Sequence, residues 1–160
     1  MGTDHMKIAE VVHKYHKSIL ILAFTYTKNI QDAEDIAQDV FLELWKRQPD
    51  FESEEHRKAW LLRVAGNLSK NLLRAQGYRQ ADQLEETLVA QEREDLSYVW
   101  DAVKALPVPY REAIHLFYYE GYSPAQIAQI LDQKESTVRS RLKRGREKLK
   151  PLLEEVGALG

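Results

Sequence analysis

The chain contains no cysteine, which excludes disulfides, thiolate metal sites and cysteine nucleophiles. No apolar run approaches the ~18 residues of a membrane-spanning helix. The start lacks the secretory pattern of basic residues, apolar stretch and small-residue cleavage site. A soluble, cytoplasmic protein is therefore expected, with Met1 to His5 read as a cloning remnant ahead of a natural start at Met6. Glycine is sparse, at seven residues in 160, and none of it forms a phosphate-cradling loop. Strand-type alternation, internal repeats and low-complexity segments are also missing.

Net charge is nearly absent too, at −2, and taken alone this argues against a nucleic-acid binder. The distribution reverses that impression. Residues 136–160 hold seven Lys/Arg against three Asp/Glu, while residues 81–135 hold four against eleven. Charge is separated along the chain, and local sign decides what a surface attracts.

Helical spacing dominates. One helix is predicted from Ile8 to Tyr26, with Val11, Val12, Tyr15, Ile19, Leu22, Ala23 and Tyr26 on one side. A second runs from Gln31 to Lys46 after cap residues at Asn29 to Asp32. A third runs from about Arg57 to Ala75, beyond an acidic stretch at Phe51 to Glu55. Gly77 closes this block. Residues 77–95 read as a flexible acidic linker between two small all-α domains, at 6–76 and 96–160. In the second domain, a helix to Leu106 is stopped by Pro107-Val108-Pro109, and another spans Tyr110 to Glu120.

Two helices joined by a tight turn come next. Ser123 can cap the first, Pro124 suits its first position, and Gln126 stands where a capping box wants Glu or Gln. Ile127, Ala128 and Leu131 give it an apolar face. In the following helix Val138 and Leu142 lie one turn apart and can anchor it. Arg139, Ser140, Lys143 and Arg144 are left pointing away, with Ser136 and Thr137 near the helix start, where backbone amides favour phosphate. This is the pattern of a DNA-binding helix-turn-helix, and its alternative is a merely solvated basic face.

On a wheel of about 100° per residue, Ile36, Ala37, Val40, Phe41 and Leu44 form a core stripe. Asp35, Gln38, Asp39 and Leu42 fall opposite, either as a solvated acidic face or as a dock for a basic partner. In the third helix Leu61, Ala65, Leu68 and Leu72 make one stripe. The other carries Arg63, Asn67, Lys70 and Arg74, with Trp60 and Asn71 at its edge. Charge, amides and an aromatic together suit nucleic acid, although a tryptophan such as Trp60 is more often a core residue than a base-stacking one.

Three segments in order resemble the extracytoplasmic-function sigma factors, the minimal two-domain class of bacterial RNA polymerase sigma subunit. They are Asp32-Ala33-Glu34-Asp35-Ile36-Ala37-Gln38-Asp39-Val40-Phe41, then Ala59-Trp60-Leu61-Leu62-Arg63-Val64-Ala65-Gly66-Asn67, then the helix-turn-helix with Leu106-Pro107 ahead of it. The resemblance implies a transcription initiation factor with a region 2 and a region 4 domain. It implies that Asp35, Gln38, Asp39 and Leu42 bind core polymerase. It further implies that Trp60, Arg63, Asn67, Lys70, Asn71 and Arg74 face the minus-ten element, with the loop from Pro49 to His56 receiving a flipped base. Ser136, Thr137, Arg139, Ser140, Lys143 and Arg144 would read the minus-thirty-five duplex. Asn71 stands where many members carry Asp, and the Pro49 to His56 loop is unusually acidic. An anti-sigma factor, often membrane-anchored, is the implied regulator of a monomeric chain.

Two other classes compete with this reading. A stand-alone helix-turn-helix regulator would need no acidic dock at Asp35 and Gln38. An enzyme would need more than His13, His16 and Glu10, which do not complete a metal site. No cofactor, metal, small-molecule substrate or catalytic residue is expected.

Overall fold

The computed structural model describes residues 7–77 and 97–155, and for residues 97–99 and 153–155 the backbone only. Met1 to His5, residues 156–160 and the expected linker beyond Gly77 lie outside the described residues. Every described regular element is helical, and the chain divides into two compact units.

The first unit is built from α1 (Ile8–Thr27), α2 (Ile30–Arg47) and α3 (Glu54–Ala75), each packed against the other two. Helix α1 is not amphipathic in the expected way: from Ile19 to Thr27 every residue is buried, because α2 and α3 both lie against it. Its polar groups are satisfied internally. Thr25 Oγ1 donates to the Ile21 carbonyl at 2.9 Å and Thr27 Oγ1 to the Asn29 carbonyl at 3.1 Å. Lys28 ends the helix in the left-handed region (φ 56°), its amide donating to Phe24 O. Asn29 starts α2 by accepting from the Asp32 amide at 2.9 Å.

Helix α3 begins three residues earlier than the spacing predicts. Ser53 is its cap, accepting from the His56 amide at 3.0 Å, and Glu54 and Glu55 occupy the first turn, where negative charge is favoured. Its buried stripe is rotated from expectation: Leu61, Leu62, Ala65, Gly66, Ser69 and Leu73 are buried, while Leu68 and Leu72 are half-buried. Small residues cause the rotation. A Cβ at Gly66 would stand 3.1 Å from the Tyr26 hydroxyl oxygen, so the glycine lets α3 close onto the buried Tyr26 of α1.

The second unit contains α4 (Ser97–Val103), α5 (Val108–Ile114), a π-helical turn (His115–Tyr119), α6 (Pro124–Leu131) and α7 (Glu135–Glu155). The Pro107-Val108-Pro109 stretch does not separate two helices by itself. Helix α4 ends at Val103, and the prolines sit at the start of α5, where a missing amide hydrogen costs nothing. Arg111, 5 % exposed, donates from Nη1 to the carbonyls of Lys104 (2.9 Å) and Leu106 (3.2 Å), closing the connection after α4. The π turn continues α5 through a Glu120 amide bond to His115 O at 3.3 Å. Helices α4, α5 and α6 all pack on α7. A Cβ at Gly145 would lie 3.0 Å from Ile114 Cγ1 and 3.5 Å from Tyr110 Cβ, which marks the close approach of α5 to α7.

Candidate nucleic-acid and partner interfaces

Helix α2 commits one side to the core through Ala33, Ile36, Ala37, Val40, Phe41 and Leu44. The four docking candidates, Asp35, Gln38, Asp39 and Leu42, all stand exposed on the other side. The structure adds a residue that the sequence reading passed over. Trp45 is 61 % exposed and follows Leu42, 50 % exposed, by three positions, so the two apolar side chains are neighbours on the helix surface. The signal lies in the i, i+3, i+7, i+10 spacing of Asp35, Gln38, Leu42 and Trp45. Trp45 also helps line a groove of about 450 Å³ with Ile8, Val11, Leu44 and Pro49.

Helix α3 brings together the candidates of its polar face. Arg63, Asn67, Asn71 and Arg74 are exposed, and Lys70 is half-buried. Arg74 Nη2 donates to Asn71 Oδ1 at 2.6 Å, so the Asn71 amide is oriented by its neighbour. Trp60 is half-buried, edge-on to Phe51 at 5.8 Å between centroids. It therefore stands between the two readings of it, leaning on the core with part of the ring outside.

The loop before α3 is organised around Phe51, which is 3 % exposed. His56 meets Phe51 edge-on at 5.3 Å, and the buried Arg57 guanidinium lies over the ring at 5.3 Å. Arg57 pairs with Glu54, which accepts from the Tyr15 hydroxyl at 2.5 Å and lies 3.4 Å from Lys14 Nζ. The Tyr15 hydrogen bond, then the Arg57 bond and charge, then the Lys14 charge, hold the Glu54 carboxyl below its usual range against the opposing effect of burial. Glu54, Glu55 and His56 belong to the first turn of α3, so the connecting loop is shorter than expected.

In the second unit, Ser123 and Gln126 form the anticipated capping box, with reciprocal bonds of 3.2 and 2.9 Å. Helix α6 turns at Asp132 (φ 56°), where the Gln133 amide donates to Ala128 O at 2.9 Å; this is the closing bond of a Schellman turn. Ile127, Ala128 and Ile130 are the buried residues of α6, and Leu131 is half-buried instead. In α7, Val138, Leu142, Gly145 and Leu149 face inward. Ser136, Arg139, Ser140, Lys143 and Arg144 are exposed, and Thr137 is half-buried. The basic face is thus real, and Arg139 within it is held by Glu135 at 2.9 Å through Nε and 2.5 Å through Nη2.

A recess of about 430 Å³ runs beside this face, lined by Ser136, Thr137, Ser140, Arg141 and Arg144 together with Pro109 and Tyr110. The last two come from the start of α5. Only the fold brings them here, so no linear pattern could have found them. Among the described residues no group of three or more His, Cys, Asp or Glu could hold a metal ion.

Comparison with known proteins gives this arrangement a family. The model of sigma-70 region 2 matches residues 11–79, and that of sigma-70 region 4 matches residues 96–149. The chain is 31 % identical to the RNA polymerase sigma-H factor of Pseudomonas aeruginosa, over 91 % of this chain and 87 % of that protein. It is 30 % identical to the ECF RNA polymerase sigma-E factor of Haemophilus influenzae, over 89 % of this chain and 87 % of that one. The fold matches the sigma factor RpoE of Bartonella quintana, solved with the anti-sigma factor NepR, at a TM-score of 0.72 and 24 % identity over 91 % of this chain and 96 % of that one. Both units and their order are accounted for together: the chain belongs to the extracytoplasmic-function group of the sigma-70 family of RNA polymerase sigma factors.

Proposed function

We propose that this sigma factor docks on core RNA polymerase through the outer face of α2 and directs it to promoters through two surfaces. Trp60, Arg63, Asn67, Lys70, Asn71 and Arg74 of α3 face the minus-ten element. Ser136, Thr137, Arg139, Ser140, Lys143 and Arg144 of α7 face the minus-thirty-five duplex. The observation that carries the reading is the division of α2. One side is wholly built into the core, while Asp35, Gln38, Asp39 and Leu42 stand together outside it, with Trp45 extending the apolar part. A stand-alone regulator has no use for such a face.

On this reading the chain supplies recognition, and the chemistry of RNA synthesis stays with the polymerase. Among the described residues no helix is long and apolar enough to cross a membrane, which accords with work in the cytoplasm. The Bartonella protein was solved with an anti-sigma factor bound. We extend that partnership here: an inhibitor that covers Leu42 and Trp45 excludes polymerase from the same surface, and a membrane-anchored one holds the chain at the inner face.

The test is transcription from a randomised promoter library with purified core polymerase, run beside Asp39→Arg. The variant should lose at least about tenfold in polymerase affinity through like-charge contact with a basic partner, with an unchanged melting temperature. Full polymerase binding by Asp39→Arg would remove the dock.

A further inference from the structure

We infer that Glu135 is a positioning residue for promoter reading, one that presets the guanidinium of Arg139 and so narrows which base pair it accepts. The inference rests on the reading of α7 as the minus-thirty-five surface. Arginine offers five N–H donors on a rigid planar fork. In the free protein the Nε hydrogen and one Nη2 hydrogen converge on a single oxygen, Glu135 Oε2. Two bonds to one acceptor, made by a flat group, hold the Nε/Nη2 edge against the carboxylate and set the direction of the far edge. That edge keeps the Nη1 hydrogens and the outer Nη2 hydrogen.

Guanine presents O6 and N7 side by side in the major groove and is read by two parallel donors. The far edge of Arg139 supplies such a pair without breaking either bond to Glu135. Without the carboxylate, the side edge becomes available as well, and the long side chain can turn to other bases or to a phosphate. Glu135 therefore gives up some attraction for DNA, since its own charge is repelled by the phosphates, and in return removes alternative modes of contact. This is specificity obtained by excluding competitors. The pair stands at the start of α7, with side chains 43 % and 64 % exposed, so the contact is open to a duplex.

The experiment uses the full chain with core polymerase, on promoter templates varied one base pair at a time through the upstream element. The variants are Glu135→Gln, Arg139→Ala and the double variant, with helicity at the assay temperature confirming that each is folded. Arg139→Ala should lose roughly tenfold in discrimination at one base pair. Glu135→Gln should lose most of that discrimination at the same base pair while binding non-specific duplex more tightly. The double variant should lose no more than Arg139→Ala, because the two residues act as one unit. Full discrimination in Glu135→Gln, or an effect equal at every position, overturns the inference and leaves α7 as the reader. A silent Arg139→Ala overturns the reading of Arg139 itself.

Discussion

Helices α1 and α7 are nearly equal in length, at 20 and 21 residues, yet they are buried in opposite ways. The second half of α1 is enclosed on every side, so it forms the axis of its unit. Helix α7 gives one stripe to its core, and the residue after each of two anchors is exposed: Val138 is buried beside Arg139, and Leu142 beside Lys143. The difference shows two ways of presenting a surface. The first unit separates the work, with α1 holding the fold while the outer sides of α2 and α3 stay open. In the second unit a single helix does both.

The largest test of this contrast is Phe24→Ala. Phe24 is 0 % exposed, and truncating a fully buried phenylalanine costs about 3–5 kcal/mol. Hydrogen exchange should accelerate throughout α1 to α3. An equal rise in α5 to α7 would mean that the two cores are not separate after all. A smaller effect is expected from Gly145→Val, which adds a side chain where a Cβ already approaches Ile114 to 3.0 Å. Overpacking of this kind costs about 1–3 kcal/mol, read as faster exchange in α5 and α7. An unchanged melting temperature would show that these helices part without penalty.

The smallest effect sharpens the comparison on the first unit's surface. The carboxyl of Glu54 is held low by Tyr15, Arg57 and Lys14, so its contribution to stability is complete at neutral pH and fades as pH falls through the lowered value. Glu54→Gln does not titrate. It should be slightly less stable than the parent at neutral pH, with the gap closing in acid. A gap that stays constant across urea titrations from neutral to acid pH would deny the carboxylate this role.

The sequence made the helices legible where caps and periodicity agree, as at Asn29 and in the Ser123 box with Gln126. It misled where a rule of thumb met a special environment. Ser53 followed by two glutamates is a helix-start signal, but its acidity resembles a loop. Leucines suggest one stripe for α3, whereas the close packing passes through Gly66, whose value depends on Tyr26 forty residues earlier. The enclosure of α1 and the π turn at His115 depend on neighbours that a single helix wheel does not include. Among the candidate site residues, the exposed sides of α2 and α7 followed from periodicity alone. Trp45 was missed because a tryptophan is expected inside, and Tyr110 because its neighbours are distant in the chain.

The loop anchored at Phe51 has a consequence in time. Gln48 closes α2, Ser53 opens α3, and the ring between them is held by His56, Arg57 and Trp60. The segment is thus already arranged in the free chain, and on the proposed function a promoter strand does not wait for it to order. On that proposal, association here would proceed at the pace of collision and orientation, and differences between good and poor promoters would be expressed in how long each remains bound.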